Sequence, residues 1–309
     1  MNYELIIIGG GPAGAAAGVY AARKQIKTAL IAESFGGQSV ESDEIQNWVG
    51  TKAISGIDLA KNLKEHVKFY ADGFVDMKEG ERVSKIEHIE NDGFLVTTNK
   101  DIYKTRTVLV ATGSSRRKLE IPGAKEYEGK GITYCASCDG PFFKDKNVVV
   151  IGGGNAGFET ALQLLAYCKS VTLISQNEFN ADPVTIEKVR ANRKAKLIPH
   201  ATPTGILGNG FVTALTYSVS RPFAEDAKIH AEGIFVEIGH LPATSFVEDL
   251  VNMDEIKRIK INHKTQESSL PGIWAAGDCT DVLYHQNNIA AGDAVKALED
   301  IYIKLRRME

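Results

Sequence analysis

Short apolar runs along this chain end in glycine clusters and then give way to helical spacing. Leu5 to Ile8 lead into Gly9-x-Gly11-x-x-Gly14, and an alanine-rich stretch to about Lys24 follows with the composition of a helix. The arrangement recurs. Residues 147–151 lead into Gly152-x-Gly154-x-x-Gly157, and Phe158, Ala161, Leu162 and Leu165 then share one helical face. Each helix is followed by another apolar run, at 28–33 and 170–175, so the pattern predicts two complete β-α-β units. The second begins 143 positions after the first, at Gly152 against Gly9. Residues 74–110 alternate apolar and polar in short runs separated by turns such as Asn91-Asp92-Gly93, and 201–220 and 233–239 alternate likewise; these predict strands. The last part opens on a strand running to Asp278 and closes in a helix over roughly 286–305.

Two apolar strands, in 108–115 and 234–244, end in glycine corners that suit crossings between domains. The expected fold class is therefore α/β, with two Rossmann-like, three-layer nucleotide-binding domains, the second inserted into the first. Residues 1–114 and 244–309 form the first, and 115–243 the second. A chain of 309 residues accommodates both. A net charge of −3, with no basic stretch carrying interleaved aromatics, argues against a nucleic-acid partner. The four-residue apolar run near the N-terminus is too short for a signal core or a membrane span, so a cytoplasmic protein without membrane partners is expected.

Two glycine-rich turns, each between a strand and a helix, form a specific signal. Glycines permit the tight turn and let backbone N–H groups and the helix N-terminus meet a pyrophosphate. Glu33 ends the second strand, where a carboxylate accepts the ribose hydroxyls of an adenosine half. The stretches "ESFGGQS" (33–39) and "IQNWVG" (45–50) suit the edge and face of a flavin ring. In the second unit the equivalent strand end reads Ser175-Gln176-Asn177. No arginine stands there to take a 2′-phosphate, so NADH is favoured over NADPH by elimination.

The four cysteines include one Cys-x-x-Cys, Cys135 and Cys138, followed at once by Asp139. A structural zinc site needs about four ligands. Cys168 and Cys279 stand alone and none of the seven histidines forms a close pair, so no metal is expected. A structural disulfide across so small a loop constrains little in the unfolded chain, which leaves a reversible dithiol. The spacing also suits a helix N-terminus whose dipole would stabilise a thiolate. Cys168 and Cys279 read as packing residues.

In order and spacing, "GGGPAG" at 9–14, "GGQ" at 36–38, "NW" at 47–48, "CASCDG" at 135–140, "GGGNAG" at 152–157, "FVEIGHLPAT" at 235–244 and "GIWAAGDCTD" carry a resemblance. The chain resembles the low-molecular-weight thioredoxin reductases over nearly its whole length. "ESFGGQ", "DGPFF" and "AAGDCTDVLYHQ" are similar to the reductase portion of the flavoprotein component of alkyl hydroperoxide reductase. The resemblance implies FAD on Gly9, Gly11, Pro12, Ala13, Gly14, Glu33, Gly37, Gln38, Asn47, Asp278 and Gln286. It further implies a nicotinamide nucleotide at Gly152, Gly154, Asn155 and Gly157, and a homodimer. The expected chemistry passes electrons from flavin to Cys138, the sulfur nearer the ring. Cys135 then attacks a thioredoxin- or glutaredoxin-like protein, with Asp139 as general acid/base. The members that use NADPH carry a His-Arg-Arg run where this chain has Ser175-Gln176-Asn177. That departure leaves open NADH, a ferredoxin or another non-nicotinamide donor, or a flavin-bound redox sensor without turnover.

Overall fold

A computed structural model describes residues 2–42, 45–90, 92–134, 136–219 and 225–307. These divide into two compact units, Met1–Ser115 with Leu241–Glu309, and Arg116–His240. The chain opens with β1 (Asn2–Gly10), α1 (Pro12–Arg23) and β2 (Thr28–Phe35). Helix α2 (Gly56–Tyr70) follows. Its N-cap Ser55 accepts the N–H of Asp58 at 3.0 Å and returns a hydroxyl bond to the Asp58 carboxylate at 2.7 Å. Then come β3 (Val75–Glu79), β4 (Val83–Ile89), β5 (Gly93–Thr98) and β6 (Ile102–Val110). Asn91, of the expected turn before β5, lies outside the described residues.

After the short β7 (Ser114–Arg116) come β8 (Ile132–Thr133), α3 (Ala136–Asp139), β9 (Asn147–Ile151) and α4 (Asn155–Leu164). Next are β10 (Ser170–Ile174), α5 (Pro183–Arg190) and β11 (Ala195–Ile198). The unit closes through β12 (Ala201–Asn209), β13 (Phe211–Val219), β14 (Glu225–His230) and β15 (Gly233–Val236). β16 (His240–Pro242) pairs with β7 where the chain crosses between units. β17 (Ile273–Ala275) and the long α6 (Asn287–Arg307) complete the first unit.

In the first unit the sheet order is β3-β2-β1-β6-β5-β4, with β17 parallel to the end of β6. Strand alternation places Leu5 and Ile7 on one face, against Ala17 of α1 and Ala294 and Leu298 of α6. Ile6 and Ile8 face the other way, towards Phe94, Val247 and Ile259. An uninterrupted apolar run is what a parallel strand covered on both faces requires. The second unit repeats this logic in a parallel sheet ordered β11-β10-β9-β15-β8. Val148 and Val150 pack on Phe158 and Leu164 of α4, while Val149 and Ile151 pack on the antiparallel β12-β13-β14 sheet through Ile206 and Leu215. Both sheets thus present their central strands' carboxyl ends at the start of a helix, and both glycine motifs sit there.

Candidate active site

At the end of β1, Gly9 has φ of +119°, and a Cβ there would stand 2.2 Å from the carbonyl oxygen of Ala111. A Cβ on Gly14 would fall 1.8 Å from the Gly9 carbonyl oxygen, so strand and helix approach as closely as backbone permits. Gly11 is the N-cap of α1 and no side chain caps that turn; Pro12 opens the helix and Ala13 is buried behind it. Gly37 faces Gly11, with only 3.3 Å between the position of a Gly37 Cβ and the Gly11 Cα. The first turn of α1 is thus left with unclaimed N–H groups over a floor without side chains. That arrangement fits a pyrophosphate.

The other residues expected at this cradle belong to the same unit. Glu33 is exposed on β2. Gln38 donates from Nε2 to the Ser114 carbonyl oxygen at 2.5 Å, and Asn47 donates to Gln286 Oε1 at 2.9 Å. Asn288, one residue into α6 from Asn287, donates to the Asn47 carbonyl at 2.7 Å and so ties the 45–50 loop to the helix start. Asp278 follows β17, with Oδ1 3.4 Å from His285 Nδ1. The hydrogen bond to Asp278 raises the His285 pKa above its ordinary value, against partial burial, which lowers it. A raised folded pKa gives stability that is full below the ordinary value of about 6.5 and is lost as pH climbs through the raised one. Melting temperatures measured from about pH 5.5 to 8.5 are expected to fall over that window in the native chain, and His285→Asn is expected to flatten that segment.

The second cradle has the same construction. Gly152 has φ of +142°, and its Cβ would lie 2.1 Å from the Glu237 carbonyl oxygen. The Cβ of an alanine at 157 would lie 2.1 Å from the Gly152 carbonyl oxygen. Gly154 caps α4 without a side-chain bond, and nothing nearer than Asn180 Oδ1, at 3.5 Å, meets a Cβ built on it. The 180–182 segment is fastened over this loop. Asn180 donates its N–H to the Gly153 carbonyl at 3.0 Å, and Asn155 Oδ1 accepts the Asp182 N–H at 2.7 Å. At the end of β10, Ser175 is buried while Gln176 and Asn177 are exposed. Glu178 reaches His200 at 2.9 Å, and Arg190 is engaged by Glu187 on α5.

Cys135 lies outside the described residues, and Cys138 lies in α3. Thr133, on β8, donates its hydroxyl to Asp139 Oδ2 at the end of α3. α3 is a single turn, so the dipole expected to favour a thiolate is that of one turn and not of a full helix. The remaining cysteines are inert. Burial pushes the thiols of Cys168 and Cys279 up to about 11, and each donates to backbone carbonyls, Cys168 to Phe143 at 3.3 Å and Cys279 to Ala276 at 3.4 Å. Among the described residues no cluster of side chains could hold a metal ion, and no helix is long and apolar enough to cross a membrane.

The model of the pyridine nucleotide-disulphide oxidoreductase family matches residues 3–294. The chain belongs to that family. Within it, this oxidoreductase is 40% identical over 297 residues to the F component of alkyl hydroperoxide reductase from Pseudomonas putida, covering 96% of this chain and 56% of that protein. It is 37% identical to an NADH dehydrogenase of Bacillus subtilis (strain 168), covering 96% of this chain and 57% of that one. The chain thus spans little more than half the length of these curated relatives. Among solved structures, thioredoxin reductase of Lactococcus lactis matches with a TM-score of 0.80 at 32% identity over 99% of both chains. The reductase resemblance and the two Rossmann-like folds anticipated from the motifs agree with these matches. Glu237 and His285 lie inside the quoted motifs and Thr160 just beyond one, yet spacing assigns none of them a role, because what distinguishes them is their neighbours.

Proposed function

We propose that this oxidoreductase uses FAD and NADH to reduce a disulfide in a small protein of the thioredoxin or glutaredoxin type, through Cys135 and Cys138. The observation that carries the reading is two uncapped glycine cradles in one chain with a single Cys-x-x-Cys. Gly9, Gly11, Pro12, Ala13, Gly14, Glu33, Gly37, Gln38, Asn47, Asp278 and Gln286 would hold FAD. When bound, it supplies a two-electron relay between nicotinamide and dithiol. Gly152, Gly154, Asn155 and Gly157 would hold the nicotinamide nucleotide. The Cys135 thiolate attacks one sulfur of the partner disulfide and displaces the other, which takes a proton from Asp139. Cys138 then gives its proton to the Asp139 carboxylate and attacks the Cys135 sulfur of the mixed disulfide, releasing the partner's second sulfur, which takes that proton. The partner leaves with two electrons and two protons, and the pair is left as a disulfide.

NADH is preferred because residues 175–180 contain no cation to offset a 2′-phosphate and do contain Glu178. The Bacillus subtilis relative named NADH dehydrogenase supports the same preference. The relatives named for alkyl hydroperoxide reduction make a peroxide-reducing protein the alternative acceptor. A homodimer is the assembly the thioredoxin reductase likeness supports. Anaerobic titration of the FAD-loaded chain tests the donor. NADH is expected to bleach the flavin stoichiometrically, with NADPH weaker by about tenfold or more. Bleaching by dithionite but by neither nucleotide at millimolar concentration would shift the assignment to a ferredoxin-type donor.

A further inference from the structure

The two glycine cradles repeat their glycines at an offset of 143 positions, Gly9 to Gly152, and a facing pair of apolar side chains in the first is a polar pair in the second. In the first unit, Gly9 rests on the carbonyl of Ala111, just past β6, and Ala17 of α1 faces the same core. Both alanines are buried. In the second unit, Gly152 rests in the same way on the carbonyl of Glu237, just past β15, and Thr160 of α4 occupies the place of Ala17. Thr160 donates its hydroxyl to Glu237 Oε1 at 2.9 Å. A carboxyl and a hydroxyl have replaced two methyl groups.

The place of this exchange has chemical meaning. β9 lies between β10 and β15, and the chain leaves β9 through α4 towards β10. Gly152, Gly154 and Glu237 therefore border the crevice where strand order reverses, the position at which open α/β sheets take ligands. A pyrophosphate on the α4 N-terminus would direct the adenosine half past the end of β10, towards Ser175. The other half would then lie on the β15 side of the crevice, where Glu237 follows the strand. Desolvation raises the Glu237 pKa, and Glu159 adds to the rise; the Thr160 hydroxyl and the Arg116 guanidinium oppose it. A half-buried carboxyl is costly unless it serves a partner.

We infer that Glu237, oriented by Thr160, is a specificity-determining residue for the nicotinamide half of the dinucleotide. The inference rests on the proposed use of NADH. An ionised carboxylate beside the ring favours cationic oxidised NAD, and its neutral form does not. Affinity for oxidised NAD is therefore expected to rise with pH through the Glu237 titration. ADP-ribose, which lacks the nicotinamide, should show no such rise.

Calorimetric titration of the FAD-loaded chain with oxidised NAD and with ADP-ribose tests this, since neither ligand reduces the flavin. Glu237→Ala is expected to weaken oxidised NAD by about tenfold or more and to leave ADP-ribose within about twofold. Glu237→Gln keeps an acceptor for Thr160, so it guards against misfolding of the alanine variant. It is expected to abolish the pH dependence of oxidised NAD binding. Equal losses for both ligands, or an unchanged pH profile in Glu237→Gln, would overturn the inference. Native protein that binds neither ligand would overturn the nicotinamide reading itself.

Discussion

Cys135→Ser is expected to lower protein-disulfide reduction by on the order of 10³-fold or more, while NADH still bleaches the bound flavin. Serine retains the size of the side chain but is almost wholly un-ionised near neutral pH, and its alkoxide is a poor partner for a sulfur electrophile. No other thiol can stand in from elsewhere in the chain. Cys168 and Cys279 are buried, with their thiols pushed up to about 11. Cys138→Ser should behave differently, leaving Cys135 able to attack but with no second thiolate to resolve the mixed disulfide. A covalent adduct with thioredoxin, visible on non-reducing electrophoresis, is the expected signature. Turnover of Cys135→Ser within about tenfold of the native rate would remove the dithiol from the mechanism.

The second large effect separates the two cradles. Gly9→Ala is expected to give protein that purifies with little FAD, and Gly152→Ala protein that is yellow but no longer bleached by NADH. At both positions the backbone is in a region that side chains rarely adopt, at φ of +119° and +142°. The strain costs about 1–3 kcal/mol. The new Cβ would also meet a backbone carbonyl oxygen at 2.2 or 2.1 Å, which no rotamer change relieves. Overpacking of this kind adds about 1–3 kcal/mol and moves the very N–H groups that a pyrophosphate needs. Flavin content by absorbance, with dithionite and NADH titrations, checks both. If Gly9→Ala retained full FAD, the first unit would not be the flavin domain.

The parts of the fold legible in the sequence are those with local causes. Ile6 and Ile8 in a continuous apolar run, followed by glycines, announce a buried parallel strand wherever they occur. The edges are harder to read. β3 alternates through Val75, Asp76, Met77 and Lys78, but it is five residues long with Val75 alone buried, so little in it separates the margin of a sheet from a polar turn. α2 does announce itself, through the Ser55–Asp58 cap and Leu59, Leu63 and Val67 on one face, yet no glycine motif draws attention to it. At the candidate site, glycine spacing locates the cradles because backbone clearance is a local demand. The Thr160–Glu237 bond joins residues 77 positions apart, and no periodicity encodes it. The Asp278–His285 contact is short in sequence, but only burial and geometry give it a titration of interest.

The ribbon of β7 and β16 has a consequence for how such a chain can be rearranged over evolutionary time. Ser115 donates to the Leu241 carbonyl at 3.4 Å, and the Ala243 N–H reaches Gly113 at 3.1 Å. The points where the first unit surrenders the chain and recovers it are therefore neighbours. To the host, the intervening stretch is a long loop with pinned ends, and closure entropy grows only as about (3/2)RT ln n with its length. The host is thus nearly indifferent to the size of what it carries. An insert could be exchanged as a cassette, cut and rejoined at this ribbon, with the β1-centred sheet and the α1 cradle left as they stand.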